Sequence, residues 1–276
     1  MESELRYLRS RRQEVAMVKS SDDNAVLHFK KGQVHYERRL VAFFDVLGWR
    51  DKIEKAGTDP IQLARLRNVV GFYSLIAKKR GTDSDLRIST FSDNVAVSAK
   101  LSDLDFLLLM VGLVQILAVT EGCLLRGGVT IGDIVHDGDV VFGPALNRAY
   151  DIESRVAVYP RIVIDPEQTA FFSGTIPLLN RVGDLTCVNP FRIDAFQIIC
   201  KMTTIWRLQR GEFAREQLTD ELEKEVTDTF TKMFHAITSE LKRPLGEKEW
   251  GKAAWFFDRM AEDFGLPERA AQYRQL

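Results

Sequence analysis

The chain has 276 residues, of which 45% are hydrophobic, so it can bury a large core in one domain or two. Its 38 basic and 39 acidic residues leave a net charge of −1, which excludes a global attraction to nucleic acid or to a membrane surface. The 3 cysteines are odd in number and have no metal-binding spacing, which indicates a reducing compartment. The charged N-terminus is unlike a signal peptide, and the apolar run 106–119 is too short to span a bilayer. We therefore expect a cytoplasmic protein with no membrane or nucleic-acid partner.

Residues 1–40 are predicted to form an N-terminal extension, a charged helix followed by an edge strand or hairpin. The segment 41–46 then has the pattern of a buried strand, in which four apolar residues lead to a single carboxylate at Asp45. A carboxylate at the end of an interior strand is costly to keep ionised unless a partner neutralises it. Taken alone, Asp45 also fits a helix cap or a turn.

A second stretch of the same kind lies at 86–98, where apolar or β-branched residues flank Ser92, Asp93 and Asn94. These three residue types favour a tight turn, so we predict a hairpin with Asp93 at its tip. Alone, Asp93 would be an ordinary turn residue. Two acidic residues at strand ends, however, are the minimum needed to hold a pair of divalent cations with oxygen ligands.

The order of predicted elements is β-α-β-β-α-β with extra strands, which is typical of the ferredoxin-like arrangement in an α+β fold. Residues 41–190 are predicted to form this core, with an irregular stretch over 170–200. Residues 191–276 are predicted to be a mainly helical extension packed on the core. The other predicted core elements are a helix from Gly48 to Ala56, a helix over 61–79, a helix over 104–121, a strand over 125–135 with its return at 140–142, a helix over 145–156 and a strand over 161–164.

Several of these segments resemble the class III nucleotide cyclases, the family of the adenylate and guanylate cyclases. Four motifs occur in the family's order and cover about residues 40–165, whereas the C-terminal third has no counterpart in the family's catalytic domain. The motifs are 43–49 for the first metal site, 91–93 for the second metal aspartate, 126–132 for the Arg-x-Gly strand and 143–149 for the helix that carries an asparagine.

The resemblance implies that Asp45, Asp93 and the backbone carbonyl of Val46 bind two Mg²⁺ or Mn²⁺ ions. One ion would lower the pKa of the ribose 3′-OH, and the other would hold the triphosphate and stabilise the leaving pyrophosphate. Backbone N–H groups at the start of the Gly48 helix would bind phosphates. Asn147 would orient the ribose from the other subunit, which implies a head-to-tail homodimer with two shared sites.

The sequence departs from the family where adenylate cyclases recognise adenine. Ser89 replaces a lysine and Val140 replaces an aspartate, so the polar groups of a purine would be left unpaired. Asp151 stands at the position of the family's transition-state arginine, for which Arg148 or Arg155 could substitute.

An intact metal motif without purine-reading residues is similar to the bacterial pyrimidine cyclases of Pycsar anti-phage systems, whose cyclic UMP or cyclic CMP activates a partner effector. Trp49 is large enough to narrow the pocket, and Arg50 could donate to the O2 or O4 of uracil. Both could equally be helix-surface residues. We predict conversion of UTP to cyclic UMP, with CTP as the alternative. The predicted catalytic residues are Asp45, Asp93 and Asn147, and the predicted substrate contacts are Phe44, Leu47, Gly48, Trp49, Arg50, Ser89, Val140 and Arg148.

Three other interpretations stay open: a purine nucleotide cyclase, an inactive cyclase-like regulator that binds a ligand, and another palm-like two-metal enzyme. Asp151 favours the inactive regulator, whereas retention of both strand-end carboxylates argues against it. A diguanylate cyclase would need a Gly-Gly-Asp/Glu-Glu-Phe signature, which the sequence lacks. A polymerase relative would need a basic stripe for its nucleic acid.

Overall fold

The computed structural model describes residues 34–79, 85–174, 176–242 and 246–266, without the side chains of 73–79. The predicted N-terminal helix and its following turn lie outside the described residues. From Tyr36 onward the chain forms one compact unit. The division of the chain at residues 40 and 190 stays a prediction.

The described chain contains eight strands and seven α-helices. The strands are β1 (Glu37–Val46), β2 (Arg87–Phe91), β3 (Asn94–Ala99), β4 (Leu125–Asp137), β5 (Val140–Phe142), β6 (Ile162–Ile164), β7 (Leu179–Val182) and β8 (Leu185–Val188). The helices are α1 (Trp49–Ala56), α2 (Pro60–Lys79), α3 (Leu104–Thr120), α4 (Pro144–Asp151), α5 (Ile193–Gln209), α6 (Leu218–Leu241) and α7 (Glu247–Asp263).

One mixed sheet organises the fold, with the strand order β2-β3-β1-β4-β6-β8-β7 and with β5 paired to β4. Strand β1 is antiparallel to both β3 and β4, and β2 is antiparallel to β3. The order β2-β3-β1-β4 is that of the ferredoxin-like arrangement. Strand β6 then pairs in parallel with β4 and extends the sheet. The predicted α+β fold is therefore confirmed.

The two faces of the sheet carry different cores, because successive residues of a strand point to opposite faces. Ala42 and Phe44 lie in the main hydrophobic core, to which α3, α5, α6 and α7 also contribute. Val41 and Phe43 lie in a smaller core with α4. Asp45 has the parity of Val41 and Phe43, so its side chain leaves the sheet on the α4 face.

The apolar helix α3 lies inside the protein. With the turn before it, the segment Leu101–Thr120 is the one described stretch long and apolar enough to cross a membrane. The prediction that the apolar run is too short to span a bilayer is therefore wrong, because the helical segment extends beyond 106–119 at both ends. The prediction of a buried helix is confirmed, because most side chains of α3 contact the main core.

The prediction of an irregular segment over 170–200 is wrong. Strands β7 and β8 form a hairpin that extends the sheet, and α5 begins at Ile193. Each strand has only four residues and β7 has no fully buried residue, so an alternating pattern is too short to recognise. The predicted helix 145–156 is also divided, since α4 ends at Asp151 and continues as the π-helical turn Ile152–Val156.

Candidate active site

A cleft of about 660 Å³ lies where β1 ends and α1 begins. Its lining includes Asp45, Val46 and Asp93, the three residues predicted to hold metal ions. It also includes Leu47, Gly48, Trp49 and Arg50, which are four of the predicted substrate contacts. The structure thus brings the two acidic segments of the sequence together in one concave site.

Strand pairing explains why the two acids meet. Because β3 pairs with β1, with Val95 opposite Phe44, the tip of the β2–β3 hairpin stands beside the end of β1. Asp93 lies in the turn of this hairpin. Its neighbour Ser92 has φ 60°, the one positive value among the described non-glycine residues. Such a conformation costs about 1 kcal/mol, and strain of this kind is concentrated at functional sites.

The carboxyl groups of Asp45 and Asp93 are close enough to interact. Burial raises the pKa of Asp45, the charge of Arg126 opposes this, and hydrogen bonding and charge repulsion from Asp93 raise it further. The net direction is upward, so the ionised form of Asp45 is disfavoured in the folded protein. A cation between the two carboxylates would remove this repulsion.

Arg126 connects Asp45 to a second buried acid. Its Nη2 lies 3.2 Å from Asp45 Oδ2 and also forms an ion pair with Glu153 in the π-helical turn. Burial raises the pKa of Glu153, an effect that Arg126 opposes. From the sequence, Arg126 is predicted only as part of a strand motif, and Glu153 is not among the predicted site residues. The available signal was an acidic residue between the apolar Ile152 and Val156.

The donor atoms of the cleft fit hard divalent cations. Two carboxylates and the Val46 carbonyl are all oxygen ligands, which Mg²⁺ and Mn²⁺ prefer. Among the described residues no cluster of three or more His, Cys, Asp or Glu could hold a metal ion, so water or substrate would have to supply further ligands. The lining also has more carboxylates than basic side chains, which favours binding of metal cations before an anionic substrate. The carboxylates are Asp45, Asp51, Glu54, Asp93, Glu240 and Glu249, and the cations are Arg50, Lys52, Lys55 and Lys252.

The start of α1 presents backbone donors to the cleft. Gly48 precedes the helix with φ 71°, a conformation that glycine adopts without strain, and no side chain caps the helix. The N–H groups of the first helical turn have no partner within the helix. The N–H of Leu47 is different, because it donates to the Leu124 carbonyl at 2.9 Å. Anion binding is therefore available from Trp49 onward.

Trp49 and Arg50 both line the cleft but differ in their surroundings. Trp49 is half-buried against the main core, and its indole Nε1 is buried with no hydrogen-bond partner among the described residues. Arg50 is exposed. Recognition of a base by either residue stays a prediction.

The other predicted substrate contacts lie away from this cleft. Phe44 is 1% exposed within the main core. Val140 is 58% exposed on β5, and Asn147 is exposed on α4. Arg148 is held by Asp165, with Nε–Oδ2 and Nη2–Oδ1 distances of 2.9 and 2.6 Å. The roles of Phe44, Val140 and Arg148 as substrate contacts, and of Asn147 as a catalytic residue, stay predictions.

Ser89, predicted to contact substrate, belongs to a buried polar network. The Nε of Arg39 donates to Ser98 Oγ at 3.0 Å, Ser98 Oγ lies 2.9 Å from His136 Nδ1, and His136 Nε2 lies 3.0 Å from Ser89 Oγ. A neutral imidazole with its proton on Nε2 satisfies every contact. Burial and the charges of Arg39 and Arg87 lower the pKa of His136 to about 4. The hydroxyl of Ser89 is therefore already engaged within the chain.

The arginine candidates for the transition state are also engaged. Arg148 binds Asp165, and a further ion pair to Glu167 measures 2.9 Å. Arg155 is largely exposed and pairs with Asp151 at 3.4 Å. Within one chain, neither arginine is among the residues that line the cleft.

No protein-family model and no curated protein matches the chain. Among solved structures, the adenylyl cyclase CyaB from P. aeruginosa shares 18% identity over 59% of this chain and 99% of that one, with a TM-score of 0.45. The guanylyl cyclase Cya2 shares 15% identity over 56% and 92%, with a TM-score of 0.40. A dimeric guanylyl cyclase domain of the RhoGC fusion protein from Blastocladiella emersonii shares 17% over 56% and 96%, with a TM-score of 0.42. At these low values, the case for an activity rests on this chain's own residues.

Proposed function

We propose that the chain is a class III nucleotide cyclase that converts UTP to 3′,5′-cyclic UMP and pyrophosphate. The observation that carries this proposal is the meeting of Asp45 and Asp93, from neighbouring strand ends, in one cleft beside the start of α1, which no side chain caps. The two carboxylates could hold divalent cations, and the N–H groups of the first helical turn could receive phosphate oxygens. CTP is the alternative substrate.

In the proposed reaction the ribose 3′ oxygen attacks the α-phosphorus, the bond to the β-phosphate oxygen breaks, pyrophosphate leaves and the 3′ proton passes to solvent. Asp45, Asp93 and the Val46 carbonyl would hold two Mg²⁺ or Mn²⁺ ions, which when bound supply Lewis acidity and charge compensation. Arg126 orients Asp45 through their ion pair. The first turn of α1 orients the phosphates, which positions the attacked phosphorus.

A head-to-tail homodimer belongs to this proposal. Asn147 lies on the α4 face of its own chain and not in the Asp45 cleft, so it could serve only the site of a second copy. Two large apolar side chains, Phe91 and Tyr150, are also exposed on this face, and a partner copy would cover them.

Mixing two inactive variants tests the shared site. Each shared site would take Asp45 from one chain and Asn147 from the other, so a dimer of one Asp45→Ala chain and one Asn147→Ala chain has one intact site of two. Random pairing makes about half of the dimers mixed, which restores about a quarter of wild-type activity. Release of pyrophosphate measures the recovery. A mixture as inactive as either variant alone would exclude shared sites.

The choice of a pyrimidine is supported by the state of the two positions that would recognise adenine. Ser89 is buried and engaged by His136, and Val140 has no polar group. Neither can pair with the exocyclic group of a purine, whose burial without a partner costs about 1–3 kcal/mol. A second-messenger role in bacterial anti-phage defence, through an effector that binds the cyclic nucleotide, is part of the same proposal.

The test is incubation of the protein with Mn²⁺ and each of the four nucleoside triphosphates, followed by identification of the product by mass. Cyclic UMP from UTP is the expected product. Cyclic CMP would select the alternative, and turnover of ATP or GTP alone would overturn the choice of base. Absence of any cyclic product would favour the ligand-binding regulator.

A further inference from the structure

The C-terminal helices form one wall of the candidate active site. Helix α6 contributes Glu240, and the start of α7 contributes Gly246, Glu249, Lys252 and Ala253. The wall belongs to the C-terminal third of the sequence, which lies outside the four motifs that resemble the nucleotide cyclases. The cleft is therefore built in one chain from both the core and the extension.

Lys252 is the cation of this wall, and it forms no ion pair with any described residue. Its side chain is half-buried. Burial lowers the pKa of Lys252, as do the neighbouring charges of Arg126 and Lys248, while Glu249 and Asp45 raise it. The net direction is downward, so the folded protein holds this ammonium group in an environment that an added anion would improve.

Two other lysines of the cleft are already paired. Lys52 Nζ lies 3.0 Å from Glu240 Oε1 and donates to the Gly122 carbonyl at 2.8 Å. Lys55 pairs with Asp51 at 2.7 Å. Lys252 can therefore bind an incoming anion without first breaking an ion pair.

The position of Lys252 is fixed by the residues that follow it on α7. Trp255, three residues later, stacks on Tyr159 with ring centroids 4.8 Å apart and an interplanar angle of 26°. The guanidinium carbon of Arg161 lies 5.7 Å from the Trp255 ring centroid. Ala253 is buried in the main core. These contacts attach α7 to the core, so the backbone of Lys252 is held beside the cleft.

Resting on the proposed function, we propose that Lys252 is a phosphate-binding residue that contacts the triphosphate of the substrate and the leaving pyrophosphate. Negative charge accumulates on the leaving group as its bond to the α-phosphorus breaks, and a fixed ammonium group there stabilises that charge. Lys252 then provides, from the extension of the same chain, a cation that Arg148 and Arg155 do not bring to this cleft.

Calorimetric titration with magnesium pyrophosphate tests this contact without requiring turnover. The variants are Lys252→Gln, Lys252→Met, which keeps the apolar stem, and Lys252→Arg, which keeps the charge. The matched control is Lys224→Gln, an exposed lysine on α6 that does not line the cleft. Loss of one charge-assisted contact should weaken binding about tenfold or more in the Gln and Met variants. The Arg variant should recover much of the affinity, and the control should match wild type.

Pyrophosphate affinity of the Gln and Met variants equal to wild type would overturn the inference, as would an equal loss in the control. Thermal unfolding of each variant shows whether a loss reflects binding or folding. The proposed function fails separately: if wild type binds pyrophosphate through Lys252 but cyclises no nucleotide, the phosphate site stands and the cyclase does not. If wild type makes a cyclic nucleotide and the Gln variant matches it in kcat, KM and pyrophosphate affinity, only the role of Lys252 is lost.

Discussion

Two polar clusters lie on the same face of the sheet, and they differ in how well their own partners satisfy them. In the network of Arg39, Ser98, His136 and Ser89, every side chain contacts the next, and burial lowers the pKa of the histidine to about 4. In the cleft, Asp45 faces a second carboxylate and its pKa is raised. A satisfied buried network stabilises a fold, whereas an unsatisfied one in a cleft indicates a missing ligand. The first cluster therefore has the character of a structural network, and the second has the character expected of a ligand site.

The largest expected effect is on turnover. Asp45→Ala and Asp93→Ala should each lower the rate of pyrophosphate release by more than about a hundredfold, because each removes one of two carboxylates that hold the metal ions. Melting temperatures near wild type would show that the fold is retained. Full activity in either variant would place the reaction elsewhere.

The network should instead govern stability, through the low pKa of His136. The pKa of about 4 in the folded protein lies below the unfolded value of about 6.5, so the unfolded chain binds more protons between these values. The free energy of unfolding should rise with pH across this window, by about 3 kcal/mol in total.

Denaturant titrations from pH 4 to pH 7 measure this slope. His136→Gln should remove the histidine's part of it while leaving pyrophosphate release per folded molecule close to wild type. An unchanged slope in the variant, or a loss of turnover at full folding, would erase the distinction between the two clusters.

The smallest expected effect is that of Asp93→Asn on stability, where the variant should be more stable than wild type without metal although it loses a proposed metal ligand. Without metal, Asp93→Asn should slightly raise the free energy of unfolding, because it removes a like charge that raises the pKa of Asp45. Thermal unfolding in a chelator, compared with unfolding in Mn²⁺, provides the measurement. Wild type should gain stability from Mn²⁺ and the variant should not. A destabilised metal-free variant would mean that Asp93 has a structural partner.

The sequence predicted the meeting of Asp45 and Asp93 because both acids follow apolar strand segments, and the order of elements placed those strands side by side. It could not predict that Ser89 contacts His136, since that pair depends on the register of strands that are far apart in sequence. Nor could it predict that α7 lines the cleft. The apolar positions of an amphipathic helix show which face is buried, but not which surface covers it.

The central claim is that Asp45 and Asp93 hold divalent cations together. The most direct test is to titrate Mn²⁺ into the protein in the presence of UTP and to measure the free ion by electron paramagnetic resonance. Wild type and Ser89→Ala should bind Mn²⁺ equally, and Asp45→Asn and Asp93→Asn should each bind it at least about tenfold more weakly. Wild-type affinity in both carboxamide variants would contradict the claim.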